Sequence, residues 1–267
     1  MTRLYIVEGL PCSGKSTTAG HIARRLAKLR PAREVVCVDE GTGDHPADYE
    51  FSAYVTSGQL AAFPPGLRER VRSCARPCLD GYVMPLSQFG GAALERLMPY
   101  KIYDSLPWET ERPLMLEKWE SFVRGAKEHA IYVFNCVLLQ NPMCETMMRF
   151  GFPEEQSLEY ISGIVERTAP LEPAVVYLKS SDIAGNVRAA SGQREGWLEE
   201  VIKYHESGEY GRSTGARGFD GCIACLEERQ RRELSILEKL PLRSMVIEDP
   251  GQDWAGAYKK LDRFITA

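Results

Sequence analysis

The stretch from Gly9 to Thr17 reads Gly-Leu-Pro-Cys-Ser-Gly-Lys-Ser-Thr and fits the phosphate-binding pattern G-x-x-x-x-G-K-[ST]. Loops of this type direct backbone N–H groups and the positive end of a helix at one anionic group. We expect Lys15 to reach the outer phosphates of a nucleotide and the Ser16 hydroxyl to ligate Mg²⁺. The residues predicted to bind nucleotide are Gly9, Pro11, Cys12, Ser13, Gly14, Lys15, Ser16 and Thr17. The motif therefore predicts ATP and Mg²⁺ as cofactors, without distinguishing ATP from GTP.

Two adjacent carboxylates, Asp39 and Glu40, follow the apolar run Val35–Val38. A carboxylate beside a phosphate site can deprotonate a phosphoryl acceptor or hold a metal-bound water. A solvated acidic pair in a loop is the alternative, and the sequence leaves open which of the two is the base. No acidic residue occurs from Ile131 to Pro142, where many P-loop proteins carry an aspartate for Mg²⁺. Asp39, Glu40 and Glu145 are therefore the candidates for that role.

Two arginines, Arg188 and Arg194, lie in a helix-like segment that begins near Asp182. Arginines at this place can neutralise the charge that develops on a transferred phosphoryl group, and a solvated helical face is the alternative for each. The glycine-rich stretch 207–218 has little to bury and predicts a mobile loop. We therefore expect residues 182–218 to form a lid.

The elements that must position these residues alternate along the chain. Segments with helical spacing separate short apolar runs, and this order predicts an α/β fold. The predicted fold is of the P-loop NTPase type, with a mostly parallel five-stranded sheet flanked by helices in a single domain over residues 1–267. Ligands in such sheets bind at the carboxyl ends of the strands. The predicted strands are Leu4–Val7, Val35–Val38, Ile131–Leu139, Ala174–Leu178 and Met245–Ile247.

A long segment separates the second predicted strand from the third. Residues 41–130 make up about ninety positions, too many for one structureless loop in a compact domain. The segment ends in an apolar stripe with helical spacing that includes Leu116, Trp119 and Phe122. We predict a helical substrate-binding insertion, in which most aromatic residues form a core and a few contact a small molecule bound beneath it.

Composition narrows the classes of function. The chain has 267 residues, of which 44% are hydrophobic, and a formal net charge of −4. This charge gives no general attraction to nucleic acid, and no apolar stretch is long enough for a membrane span. We therefore expect a cytoplasmic protein with no nucleic-acid or membrane partner, and the sequence leaves a homodimer open. Cys74, Cys78, Cys222 and Cys225 are a candidate zinc set, but Cys222 and Cys225 open a helix rich in core leucines, which favours ordinary buried cysteines.

The order of these features resembles that of the nucleoside and nucleotide kinase group of P-loop proteins. Thymidylate kinases and deoxynucleoside kinases are its familiar members, and the chain is also similar to a set of bacterial P-loop ATPases and small-molecule kinases. The resemblance implies that Asp39 or Glu40 lies close to the acceptor and that Arg188 and Arg194 belong to a lid. The Asp-Arg pair usual after the third strand is missing here, which argues against a conventional nucleoside or nucleotide as acceptor.

The sequence thus predicts a Mg²⁺-ATP-dependent kinase that transfers the γ-phosphoryl group to a hydroxyl or phosphate of a small molecule. Candidate acceptors are nucleosides, nucleotides and natural-product-like compounds. The alternative is a P-loop NTPase that acts as a conformational switch with a protein partner. The predicted catalytic residues are Lys15, Asp39, Glu40, Arg188 and Arg194.

Overall fold

The computed structural model describes residues 1–266. The chain folds into two compact units, one formed by Met1–Glu40 together with the residues from Ala126 onward, and the other by Gly41–Gly125. We call them the first unit and the second unit. Within residues 1–266, no helix combines the length and the hydropathy that crossing a bilayer requires.

The helices and strands have the following bounds. The strands are β1 (Leu4–Gly9), β2 (Glu34–Val38), β3 (Ser52–Thr56), β4 (Arg76–Cys78), β5 (Gly81–Pro85), β6 (Ala130–Asn135), β7 (Ala174–Lys179) and β8 (Arg243–Glu248). The α-helices are α1 (Lys15–Leu29), α2 (Ser57–Ala61), α3 (Pro65–Cys74), α4 (Gly91–Leu97), α5 (Ile102–Ser105), α6 (Trp108–Gly125), α7 (Gln140–Met143), α8 (Glu154–Thr168), α9 (Ile183–Ser191), α10 (Trp197–Ser207), α11 (Glu209–Thr214), α12 (Gly218–Lys239) and α13 (Trp254–Thr266). A π-helix spans Cys144–Arg149, and 3₁₀ turns span Leu86–Gln88, Met98–Tyr100, Ala169–Leu171 and Pro250–Gln252.

The first unit is built on a five-stranded sheet with the order β2-β6-β1-β7-β8, in which every neighbouring pair is parallel. Helices α1 and α13 cover one face, where Ile22 and Leu261 pack with Val7, Val133 and Val176. The side chains of β1 are buried along its whole length, as expected for a central strand covered on both faces. The predicted α/β fold with a five-stranded parallel sheet flanked by helices is confirmed.

The third predicted strand is shorter in the structure, because β6 ends at Asn135 and not at Leu139. Cys136 has φ 68°, which turns the chain away from the sheet. The N–H groups of Leu138 and Leu139 donate hydrogen bonds to the carboxylate of Glu8 instead of to a neighbouring strand. Both leucines stay buried, so the apolar run continues although the strand does not.

The second unit contains an antiparallel sheet in addition to the predicted helices. Its strand order is β3-β5-β4, and its core includes Val55, Met84 and Leu97. The prediction of a helical insertion therefore included the helices and omitted this sheet. The strand β4 has only three residues and includes Pro77, so it carries too few positions for an alternating pattern to appear in the sequence.

The glycine-rich stretch predicted as a mobile loop forms helix α11 instead. A Cβ on Gly211 would collide with the carbonyl oxygen of His205, and one on Gly208 would collide with the carbonyl oxygen of Met148. The prediction of a loop was wrong because these glycines allow close packing of backbone segments. A lid over residues 182–218 stays a prediction.

Candidate functional site

The phosphate-binding pattern forms the turn between β1 and α1. Lys15 is the first residue of α1, and its ammonium donates hydrogen bonds to the carbonyl oxygens of Gly9 (3.0 Å) and Leu10 (2.8 Å). Gly14, at the N-terminal cap, has φ 92° and ψ 22°. No side chain within residues 1–266 caps this helix, so its first N–H groups point out of the helix end toward any bound anion.

The loop is closely packed on one side and open on the other. A Cβ on Gly14 would lie 2.5 Å from Cη2 of Trp254, which starts helix α13. Only glycine therefore fits at this position. The hydroxyl of Ser13 is buried and has no hydrogen-bond partner in the described part of the chain. A buried donor of this kind is costly unless a ligand or water satisfies it.

Asp39 and Glu40 directly follow β2, and their carboxylates form hydrogen bonds with different side chains. The pairing of β2 with β6 runs to Val38 and Phe134, so the residues that follow come together at the same edge of the sheet. The side-chain amide of the buried Asn135 donates to Asp39 Oδ1 (2.9 Å) and to Ser16 Oγ (3.3 Å). Its Oδ1 accepts a hydrogen bond from the N–H of Glu40 (2.9 Å). Asn135 thus forms hydrogen bonds both with the two residues that follow β2 and with Ser16, the predicted Mg²⁺ ligand.

A cavity of about 550 Å³ opens beside the loop. Glu40 lies in its wall, and its Oε1 accepts a hydrogen bond from Gln140 Nε2 (3.2 Å). The cavity therefore brings together the loop, its lysine and one carboxylate. The other lining residues are Pro11, Cys12, Gly14, Lys15, Ser16, Thr17, Cys136, Asn186, Ala189, Ala190, Gln193, Arg194, Trp197 and Val201.

The two predicted arginines have different positions. Arg194 lines the cavity, and the charges of Arg194 and Lys15 partly offset the effect of burial, which raises the pKa of the Cys12 thiol. Arg188 is absent from the cavity wall, as far as residues 1–266 define it, and its guanidinium lies 4.4 Å from the centroid of the Phe219 ring. The structure thus brings Arg194 to the loop and leaves Arg188 on a helix surface.

A second cavity, of about 370 Å³, adjoins the first and shares Cys12, Gly14 and Asn186 with it. Trp254 forms one side of this cavity, and Asp182 and Asp249 contribute to its wall. Sequence reasoning missed Trp254, since nothing in the chain around it indicates contact with a loop some 240 residues earlier.

Sequence reasoning also missed Glu8, which precedes the loop and is fully buried. Burial raises the pKa of its carboxyl group to about 7, against the opposing effect of hydrogen bonds from the N–H groups of residues 138–140. Nearby, Tyr177 donates to Glu233 Oε2 (2.6 Å), and Arg229 forms an ion pair with Glu233 (3.2 Å). An acid inside an otherwise apolar strand is the signal that could have identified Glu8.

Glu145, the third acidic candidate, lies on the π-helix and forms an ion pair of 2.7 Å with Arg149. It is not part of the wall of the 550 Å³ cavity as the described residues form it. Over residues 1–266, no group of three or more His, Cys, Asp or Glu side chains is arranged to hold a metal ion.

The second unit has its own buried polar cluster. The Tyr103 hydroxyl donates to the Asp48 carboxylate, and the Lys118 ammonium lies 4.7 Å from the centroid of the Tyr49 ring. Burial lowers the pKa of Lys118 to about 8 and that of His45 to about 4. These groups lie among the aromatics that were predicted to form mostly core.

No family model matches this chain, and no curated protein sequence matches it either. Among solved structures, a thymidylate kinase from Ehrlichia chaffeensis is 12% identical over 100% of this chain and 99% of its own, with a TM-score of 0.46. The YorR protein from Bacillus subtilis, solved in complex with phosphorylated GDP, is 11% identical over 98% of this chain and 93% of its own, with a TM-score of 0.40.

Proposed function

We propose that this chain is an ATP-dependent phosphotransferase whose acceptor is a small molecule. The observation that carries the proposal is the 550 Å³ cavity, in whose wall the phosphate-binding loop, Lys15, Arg194 and Glu40 meet. Phosphoryl transfer needs positioning and charge neutralisation more than covalent chemistry from the protein. Cationic donors and one carboxylate around a single cavity are the groups that this reaction uses.

ATP and Mg²⁺ fit the residues present. The uncapped start of α1 and the unpartnered Ser13 hydroxyl are donors suited to phosphate oxygens. The adjoining cavity beside Trp254 has room for the nucleoside part. Ser16 Oγ would hold Mg²⁺, with Asp39 acting through a water. When bound, Mg²⁺ neutralises phosphate charge and orients the phosphates.

Glu40 is the proposed base. It accepts the proton of the acceptor hydroxyl as that oxygen forms a bond to the γ-phosphorus, and the bond from the γ-phosphorus to the bridging oxygen breaks to release ADP. Lys15 and Arg194 neutralise charge on the phosphates. Asp39 is not assigned as the base because it is absent from the cavity wall that residues 1–266 form, and its carboxylate accepts from the amide of Asn135, next to Ser16. Arg188 has no role in this scheme.

The test is transfer of label from γ-labelled ATP to a metabolite pool, with the products identified by mass spectrometry. Lys15→Ala is expected to lower turnover about 10²- to 10³-fold, the scale of one preorganised electrostatic group. Lys28→Ala is the matched control, since it removes the same charge from an exposed position in the last turn of the same helix. Wild-type turnover in Lys15→Ala would refute the proposal.

The same assay separates the kinase from the conformational switch. Label that appears in a small molecule supports the kinase. ATP hydrolysis that only a protein partner accelerates, with no labelled small molecule, would favour the switch. Failure of the wild-type chain to bind Mg²⁺-ATP in calorimetry would exclude both.

A further inference from the structure

The buried carboxylate of Glu8 has no task in the proposed mechanism, although it directly precedes the phosphate-binding loop. Its Oε1 accepts hydrogen bonds from the N–H groups of Leu138 (2.7 Å) and Leu139 (3.1 Å). Its Oε2 accepts a third from the N–H of Gln140 (3.0 Å). Three consecutive amides of the turn after β6 therefore converge on one side chain that is 0% exposed.

A carboxyl group satisfies this arrangement best in its ionised form. Both of its oxygens accept and neither carries a proton, so the three N–H groups meet only acceptors. A glutamine at position 8 would place an NH₂ group against at least one of these donors. The turn at residues 138–140 thus depends on the acid at position 8, which the strand buries at a cost in solvation.

The last residue of this turn, Gln140, contacts Glu40. Gln140 Nε2 donates to Glu40 Oε1 at 3.2 Å, and because a carboxylate only accepts, the amide can have only this orientation. Gln140 Oε1 is buried and finds no donor among residues 1–266. The amide is therefore positioned by its contact with Glu40 and by the backbone that Glu8 fixes. Glu40 itself is exposed and has a long side chain, so this hydrogen bond selects among its rotamers.

We propose that Glu8 is a positioning residue for phosphoryl transfer, which fixes the turn at residues 138–140 so that Gln140 holds Glu40 in place for the acceptor. The inference rests on the proposed function, because that function makes Glu40 the base. Glu8 acts through three backbone amides and one side-chain amide, and it touches neither substrate.

The test is a double-mutant cycle. The variants are Glu8→Gln, Gln140→Met, Glu40→Gln and Glu8→Gln combined with Glu40→Gln, and Gln156→Met on the exposed surface of α8 is the control. For each we measure kcat for ATP, the Kd of Mg²⁺ with a non-hydrolysable ATP analogue, and hydrogen exchange at residues 138–140. Thermal unfolding reports whether each variant is folded.

Glu8→Gln and Gln140→Met are each expected to lower kcat about tenfold, a part of the 10²- to 10⁴-fold that a positioned base contributes. The Kd of the analogue should stay within about twofold of that of the wild type, because the positioning of a base acts on the reaction step and not on nucleotide binding. Exchange at residues 138–140 should accelerate in Glu8→Gln and stay slow in Gln140→Met, which leaves Glu8 intact. In the Glu40→Gln background, Glu8→Gln should cost no further kcat, because both changes act through one group.

Two results would overturn the inference. The first is an unchanged kcat in Glu8→Gln, and the second is a loss that persists in full in the Glu40→Gln background. If Glu8→Gln does not fold, Glu8→Asp, which keeps the carboxylate but shortens its reach to the three N–H groups, replaces it in the same cycle with Glu40→Gln. A wild-type chain that neither binds nor turns over ATP would refute the proposed function and this inference with it. That outcome is recognisable, since Glu8→Gln would still change exchange at residues 138–140.

Discussion

Replacing Asn135 by aspartate should make the stability of the first unit depend on Mg²⁺. The amide of Asn135 is buried and donates to Asp39 at 2.9 Å and to Ser16 at 3.3 Å. An aspartate would keep the acceptor for the N–H of Glu40 but would remove both donors. It would also bring a second carboxylate to hydrogen-bonding distance of Asp39.

The size of the effect follows from these contacts. Loss of a hydrogen bond to a charged group costs about 1.5–3 kcal/mol. Two unit charges 4 Å apart repel by about 4 kcal/mol at an effective dielectric constant of 20, and the exposure of Asp39 reduces this by about half or more. The sum is about 3–5 kcal/mol in the absence of metal, or roughly 10 °C in Tm for a protein of this size.

The assay is thermal unfolding in EDTA and in 10 mM Mg²⁺, with Asn135→Ala as the control that removes the same donors without adding charge. Mg²⁺ should recover most of the lost Tm in Asn135→Asp, since two carboxylates and the Ser16 hydroxyl then surround the cation. Asn135→Ala should show little response to Mg²⁺. Equal Tm values for the two variants in both buffers would show that Asp39 and position 135 do not share a cation site.

Three further outcomes are expected. Arg194→Ala should lower turnover about 10²-fold, because this arginine lines the cavity. Arg188→Ala should leave turnover within about threefold and cost about 1 kcal/mol of stability through the lost contact with Phe219. Equal turnover in the two variants would contradict this prediction. Burial lowers the pKa of His205 to about 4, so the unfolded chain binds a proton at pH 5 that the folded chain does not, and stability falls as pH drops below 6.5. Urea titrations at pH 7 and pH 5 should show His205→Gln losing about 2 kcal/mol less than the wild type over this interval, and an equal loss would place the pKa of His205 near its usual value. Gly211→Ala should cost about 1–3 kcal/mol in urea because its Cβ meets a backbone carbonyl, and a neutral effect would mean that α11 is free to shift.

The sheet was predictable because buried parallel strands leave a strong trace in sequence. Runs such as Ala174–Leu178 are continuous apolar stretches of the length that a strand covered on both faces produces. The same signal misplaced the end of β6, since Leu138 and Leu139 are as buried as strand residues. An apolar run reports burial, whereas the turn depends on the backbone at Cys136 and on the carboxylate of Glu8.

The site was predictable only where one local motif contains it. The positions of Lys15 and Ser16 follow from the loop pattern. The different surroundings of Asp39 and Glu40 depend instead on their contacts with Asn135 and Gln140. These contacts arise from the pairing of strands about ninety residues apart, which no local pattern specifies. The prediction of a loop at residues 207–218 failed for a related reason. In a single sequence, a glycine that allows close packing cannot be distinguished from a glycine that gives flexibility.

The position of the Trp254 indole makes its fluorescence sensitive to what occupies the neighbouring cavity. Its ring lies where a side chain on Gly14 would be and borders the 370 Å³ cavity, so a bound nucleoside would replace water around it. Tryptophan emission shifts in wavelength and intensity with the polarity of its surroundings, so under the proposed function Trp254 would be a built-in fluorescent reporter of nucleotide binding. Trp197 borders the other cavity, and replacing each of the two tryptophans by phenylalanine in turn would assign the emission change to one side of the loop.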